Sequence, residues 1–365
     1  MDTIRQTKLI VNTKHIEHNI SELQRFVGNT VKIMPVIKAR GYGTGLGTQV
    51  NLFKKLKIDI LAVAVIDEGI ALRERGFNGE IVVLNQPFKD EIEKSLEYDL
   101  ILGVCVLEFI QELNNCAHKN NKIANIHLEI NTGMNRTGIN PDDINKYLNT
   151  FKSLNNVNLE GIYTHFSSSD SDYEYTKEQI NRFNKVLNIA KTKVNFKYIH
   201  ACNTGGILNF KEAHFNLVRP GISLYGHLPS DYLSEKINLI PATTLKTKIT
   251  YIHDIKTGDS VSYNRSFIAK KDTKIATIPI GYADGLPRVY KGQVVINNQL
   301  ASIVGVVNMD SFMVDITDLE NVNIGDDVYI WDNKLITIED IATACNTINY
   351  EILSNLAPRV IKEFI

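Results

Sequence analysis

The chain has 365 residues, 44% of them apolar and 22% charged, with a formal net charge of −1. That length favours two domains over one core, and the near-neutral balance excludes the broad cationic surface that nucleic acid or an anionic membrane requires. No apolar run reaches the length of a membrane span, and residues 1–6 lack the apolar stretch of a signal peptide, so a cytoplasmic protein is expected. Cys105, Cys116, Cys202 and Cys345 have no ligand spacing and read as reduced thiols, and the scattered histidines predict no metal site.

In chain order, a short strand over 8–12 precedes an amphipathic helix whose apolar face carries Ile16, Ile20, Leu23 and Phe26. Residues 31–37 then read as a buried strand, mostly β-branched and apolar, that ends on Lys38 and breaks into Gly41, Gly43 and Gly45. A lysine in that place loses water, which lowers its pKa and frees a neutral amine for Schiff-base chemistry. Further strands are expected at 60–65, 80–84, 101–106, 124–130, 159–164, 197–201 and 216–219, separated by helical segments such as 67–75, 107–117 and 173–191. About eight strand–helix alternations fit a (β/α)8 barrel better than an open doubly wound sheet. The first strand–helix turn also lacks the G-x-G-x-x-G pattern of a dinucleotide fold.

The rhythm changes after Leu233. Short alternating strands take over, with turns at 256–259, 282–285, 297–298 and 324–327, and a mixed tail covers 338–365. The expected fold is therefore α/β: a TIM-like (β/α)8 barrel over 1–235, followed by a mainly-β C-terminal domain over 236–365. The first strand is free to pack with that second domain.

In such a barrel the carboxyl ends of the strands share one mouth. Lys38, then Glu129, Asn131 and Arg136, then His165, Asn203-Thr204 and Arg219-Pro220-Gly221 all fall at those ends. The turn Asn203-Thr204-Gly205-Gly206 opens a helix, where free amides and the helix dipole suit a phosphate.

Together these residues form a recognisable set. Val36-Ile37-Lys38-Ala39 with Tyr42, Gly43 and Gly45 resembles the lysine motif of the alanine racemases, fold-type III enzymes that use pyridoxal 5′-phosphate. The resemblance continues through Asn131-Thr132-Gly133-Met134 with Arg136 and Gly138, Thr164-His165-Phe166, and Val218-Arg219-Pro220-Gly221 with Leu224-Tyr225-Gly226. Gly281-Tyr282-Ala283-Asp284-Gly285 with Arg288, Val304-Gly305 with Met309-Asp310, and Tyr350-Glu351 complete it in family order over nearly the whole chain.

The resemblance implies a homodimer that racemises a small amino acid, alanine first, through two bases on opposite faces of the substrate. Lys38 holds the cofactor and acts as one base, and Tyr263, from the second domain of the partner subunit, acts as the other. Arg219 meets the pyridine nitrogen, with His165 behind it. Tyr42, Asn203, Thr204, Gly221 and Tyr350 serve the cofactor and its phosphate. Arg136 and, again from the partner subunit, the Met309 amide meet the substrate carboxylate, while Tyr282, Arg288 and Asp310 line the entrance. An arginine at the ring nitrogen stays protonated and donates, which weakens the ring as an electron sink and disfavours transamination.

Several positions depart from the family pattern. Glu129 stands where a lysine is common, Asn135 and Asn264 where glycines are usual, and Asn308 where a small residue is usual. Glu129 supplies a negative charge towards Arg136. Asn308 adds a donor and an acceptor beside the substrate side chain, which admits serine or a broader specificity as the alternative. A fold-type III decarboxylase and a non-catalytic cofactor carrier are the remaining readings. Arg219 and the Tyr282 segment weigh against the first, and the second domain against the other.

Overall fold

The computed structural model describes residues 4–47 and 49–365, so the first three of the residues read for a targeting segment lie outside it. The chain divides into two compact units, one of residues 16–41 and 46–240, the other of residues 1–15, 42–45 and 241–365.

The first unit is a barrel of eight parallel strands. In sheet order Lys32–Ile33 pairs with Leu217–Val218, followed by Tyr198–His200, Val157–Tyr163, Ala124–Glu129, Ile101–Val104, Glu80–Val83 and Ile60–Val63. The two end strands meet through a parallel bridge between Val36 and Ala62, with the Ile37 amide donating to the Ala62 carbonyl at 2.9 Å. That bridge nearly closes the ring. Each strand ends within two residues of its expected position, because β-branched runs bounded by polar turns leave little choice. The exception is the lysine strand, where only Lys32–Ile33 is regular and Met34 and Val36 continue as single amide bonds to Val218 and Pro220.

Met34, Val36, Ile60, Ala62, Val82, Ile101, Tyr198 and Leu217 fill the interior. Each large aliphatic side chain buried there contributes about 1.5–3 kcal/mol. The helices Ile66–Glu74, Leu107–Lys119 and Tyr173–Ala190 pack outside, matching the expected periodic segments. In the first helix, Thr13–Val27, Val27 and Asn19 join Ile16, Ile20 and Leu23 in the core, while Phe26 is half-buried. The Asn19 carboxamide makes the difference: it bonds the carbonyls of Leu224 and Ile240, which turns the buried face.

The second unit is a nine-stranded sheet. Lys8–Val11 runs antiparallel to Thr243–Lys248 and parallel to Ile361–Phe364, so the first and last strands of the chain sit side by side. Gln293–Ile296 and Gln299–Val304 form a hairpin through Asn297 and Asn298, both with positive φ. Asparagine is among the residues that accept this two-residue turn. The tail holds the helices Ile338–Ala344 and Asn349–Ser354 before the last strand.

Candidate active site

Lys38 opens a turn in which Ala39, Arg40, Gly41 and Tyr42 all have φ between 52° and 67°. A left-handed run costs about 1–2 kcal/mol for each non-glycine residue, so it persists only where something holds it. Glu68 supplies that hold: Oε1 accepts from the Ala39 amide at 2.5 Å and Oε2 from the Ala64 amide at 2.8 Å. The next glycine, Gly43, has no room for a Cβ, which would strike the Leu353 carbonyl. Its close approach is therefore to protein backbone in the second unit.

The Lys38 side chain is open to solvent, yet protein crowds it enough that its pKa lies below the ordinary lysine value. Burial is the main cause, the positive charges of Arg136 and Arg219 add to it, and Glu68 opposes. Replacing Arg136 with glutamine should raise the pH at which the Lys38 amine becomes neutral. The rate of reductive methylation of Lys38 against pH reads this directly, and an unchanged profile would exclude the coupling.

Arg219, 2% exposed, is the hub of the barrel interior. Its Nη2 donates to the carbonyls of Thr164 and Ala201 at 2.9 Å each and to His165 Nδ1 at 3.2 Å, and its Nη1 donates to His200 Nδ1 at 2.7 Å. The Nε–H takes no protein acceptor among the described residues. Tyr163 lies beneath the guanidinium, its ring centre 5.7 Å away, and stacks on His200 at 4.8 Å. His165 and His200 are both held neutral: burial pushes their pKa values well below the usual range, and the Arg219 charge pushes further. His200 and Tyr163 stand in no motif quoted above, although strand alternation turns both inward.

Arg136 comes from a loop organised by Asn131, whose Oδ1 accepts from the amides of Gly133 and Asn135 at 3.1 Å each. Asn135 and Asn264 both adopt left-handed φ, 55° and 58°. The two departures from glycine thus fall on the non-glycine residue that best tolerates this conformation. Glu129 is buried at the end of its strand. Burial raises its pKa, against the pull of the Thr137 hydroxyl and of Arg136 and Arg219.

Of the expected phosphate group, Thr204 and Gly221 flank Ser223, whose hydroxyl is 3.0 Å from that of Thr204. The Asn203 carboxamide oxygen is occupied as the helix N-cap: it accepts from the Gly206 amide at 3.0 Å and from the Ser169 hydroxyl at 2.6 Å. In the second unit the rings of Tyr42 and Tyr350 lie 6.1 Å apart.

The second unit also gathers Tyr263, Tyr282, Asn308 and Met309. Tyr263 is 67% exposed at the head of a tight turn, with Ser262, Asn264 and Arg265 all at positive φ. The Ser262 hydroxyl ties that turn to Asn308, donating to Oδ1 at 3.4 Å, and accepts from the Val306 amide at 3.2 Å. The Tyr282 amide donates to the Asn308 carbonyl at 3.0 Å. The Met309 amide has no acceptor among the described residues. Asp310 pairs with Arg359 at 2.8 Å, and Arg359 in turn pairs with the buried Asp284.

Comparison with known proteins adds the following. Residues 11–229 match the family model described as alanine racemase, N-terminal domain, and residues 242–364 the one described as alanine racemase, C-terminal domain. The chain is similar to alanine racemase 2 of Caldanaerobacter subterraneus subsp. tengcongensis, at 38% identity over all of this chain and 96% of that protein. It is 36% identical to the alanine racemase of Halothermothrix orenii, over 99% of this chain and 97% of that protein. Among solved structures, alanine racemase from Clostridium difficile 630 matches with a TM-score of 0.95 at 32% identity, over 98% of this chain and 95% of that one. Alanine racemase from Bacillus anthracis with bound L-Ala-P matches with a TM-score of 0.94 at 31% identity, over 100% and 96%.

Proposed function

Because the chain belongs to the alanine racemase family, and is by that membership an amino-acid racemase, we propose that it interconverts L- and D-alanine as a homodimer carrying pyridoxal 5′-phosphate on Lys38. The observation that carries the reading is the donor set around Arg219. A buried guanidinium whose terminal nitrogens are held by protein acceptors keeps its Nε–H for something else, and an unprotonated ring nitrogen is such an acceptor. Lys38, with its lowered pKa, fits an aldehyde-bearing cofactor, and Thr204 and Ser223 offer hydroxyls to its phosphate. When bound, the cofactor supplies the electron sink that makes the substrate Cα–H acidic.

The chain's own residues do the rest. Lys38 takes or returns the Cα proton on one face, and the Tyr263 phenol of the partner subunit does so on the other. Exposure of Tyr263 on a braced turn suits delivery to a second chain. Arg219, always protonated, donates to the ring nitrogen without giving up its proton, which restrains the sink and favours return of the proton to Cα. Arg136 and the Met309 amide of the partner subunit suit the substrate carboxylate. The relatives are alanine racemases across both units, which favours racemisation over the decarboxylase and carrier readings.

A panel of L- and D-amino acids followed by optical rotation tests the substrate. Alanine is expected to turn over fastest, and faster turnover of serine would support the specificity alternative suggested by Asn308. Glu129 allows a second test. Its raised pKa means that the carboxyl gains its charge, and its pull on Arg136, only as pH rises through that higher value. The KM for alanine should accordingly fall as pH rises through it, and Glu129→Gln should flatten that dependence. An identical KM profile in the variant would remove Glu129 from substrate binding.

A further inference from the structure

Beneath Arg219 the barrel interior carries a polar column. His200 Nδ1 accepts from Arg219 Nη1 at 2.7 Å, and His200 Nε2 lies 2.9 Å from His127 Nδ1. His127 Nε2 in turn faces Glu160 Oε1 at 3.7 Å, too long for a hydrogen bond. His127 and His200 are fully buried and Glu160 is 7% exposed. The two facing atoms, His127 Nε2 and Glu160 Oε1, have no hydrogen-bond partner among the described residues, although both are buried. At the far end Lys197, itself paired with Glu80, stands 3.8 Å from Glu160 Oε2. The column is built in by packing: a Cβ on Gly161 would occupy the space of the His127 ring.

The proton positions along this column follow from its first member. A guanidinium only donates, so His200 Nδ1 must be the acceptor and its proton must sit on Nε2. That proton points at His127 Nδ1, which leaves the His127 proton on Nε2, aimed at the Glu160 carboxylate. Each neutral ring therefore turns its lone pair toward the cation and its N–H toward the anion. This is the arrangement in which successive dipoles reinforce one another in a dry interior.

We propose that His127 and Glu160 are positioning residues for the reaction: through His200 they hold the plane and charge of the Arg219 guanidinium, and so the hydrogen bond it offers the cofactor. The inference rests on the role proposed above for Arg219. If His127 is lost, the His200 Nε2–H has no acceptor in the core. Arg219 still requires Nδ1 as its acceptor, so the ring, with its Nε2–H unmet, tilts out of place and carries the guanidinium with it. A glutamine at 127 avoids this, since its carboxamide oxygen accepts from His200 and its NH2 group donates toward Glu160.

The test uses the full chain with its cofactor, labelled with 15N-histidine, together with the variants His127→Leu, His127→Gln and Glu160→Leu. Imidazole nitrogen spectra should show Nε2–H tautomers for His200 and His127 in the wild type and in Glu129→Gln, which leaves the column intact. In His127→Leu the His200 ring should stay protonated on Nε2 but lose the chemical shift of a hydrogen-bonded N–H, kcat should fall about tenfold or more and KM should change little, while His127→Gln restores both the shift and kcat. Glu160→Leu should keep both rings protonated on Nε2 and lower kcat in the same direction with KM little changed. A wild-type His200 protonated on Nδ1 overturns the proposal without recourse to any variant, as does a folded His127→Leu chain with wild-type kcat. A wild-type chain that racemises no amino acid would overturn the reading of Arg219 itself, and this inference with it.

Discussion

Replacing Lys38 with alanine is expected to abolish racemisation, by about 10⁴-fold or more, and to remove the visible absorbance of the lysine-linked cofactor. Both losses follow from one amine serving as anchor and as base. The fold should survive the change. The turn after Lys38 is held by the Ala39 amide on Glu68 and by the Gly41 amide on the Ile37 carbonyl, at 2.9 Å, and neither bond involves the lysine side chain. Because that side chain is solvent-accessible, stability should shift by no more than about 0.5 kcal/mol. Spectrophotometry and thermal unfolding on the same preparation separate loss of the amine from loss of structure. A variant that keeps both absorbance and turnover would displace Lys38 from the mechanism.

Removing one oxygen atom at Tyr263, by changing it to phenylalanine, should lower the rate about 10²–10⁴-fold. The ring is 67% exposed and lies outside the core, so the variant should unfold at the wild-type temperature. The form of the loss is more telling than its size. With a single base left, proton removal on one face continues while delivery to the other stops. In deuterium oxide, one enantiomer of alanine should then exchange its α-hydrogen with retention of configuration, and neither should interconvert. Wild-type racemisation by Tyr263→Phe, or equal exchange from both enantiomers, would mean that the second base is another group.

Much of this arrangement was legible in the residue order. The strand positions followed from apolar runs, and the residues at their carboxyl ends followed from the barrel they imply. What escaped were features set by distant contacts. Nothing local in Tyr42–Gly45 says that this stretch belongs with the second unit, because the reason is the fit of Gly43 against the Leu353 carbonyl. The left-handed run from Ala39 to Tyr42 was equally hidden, since alanine and arginine do not favour it and Glu68 compensates from another helix. Asn203, read for its place at a helix start, also caps that helix with its own carboxamide oxygen. His127 and His200 were hard to single out, since an inward-facing histidine is unremarkable until its partner on the next strand but one is known.

The most direct test of the two-chain, two-base account is to co-express Lys38→Ala with Tyr263→Phe, each inactive alone. If the bases come from different chains, random pairing yields mixed dimers with one intact site, and activity should return to about a quarter of the wild-type level. If the mixture stays as inactive as its parents, both groups act within one chain and the account is wrong.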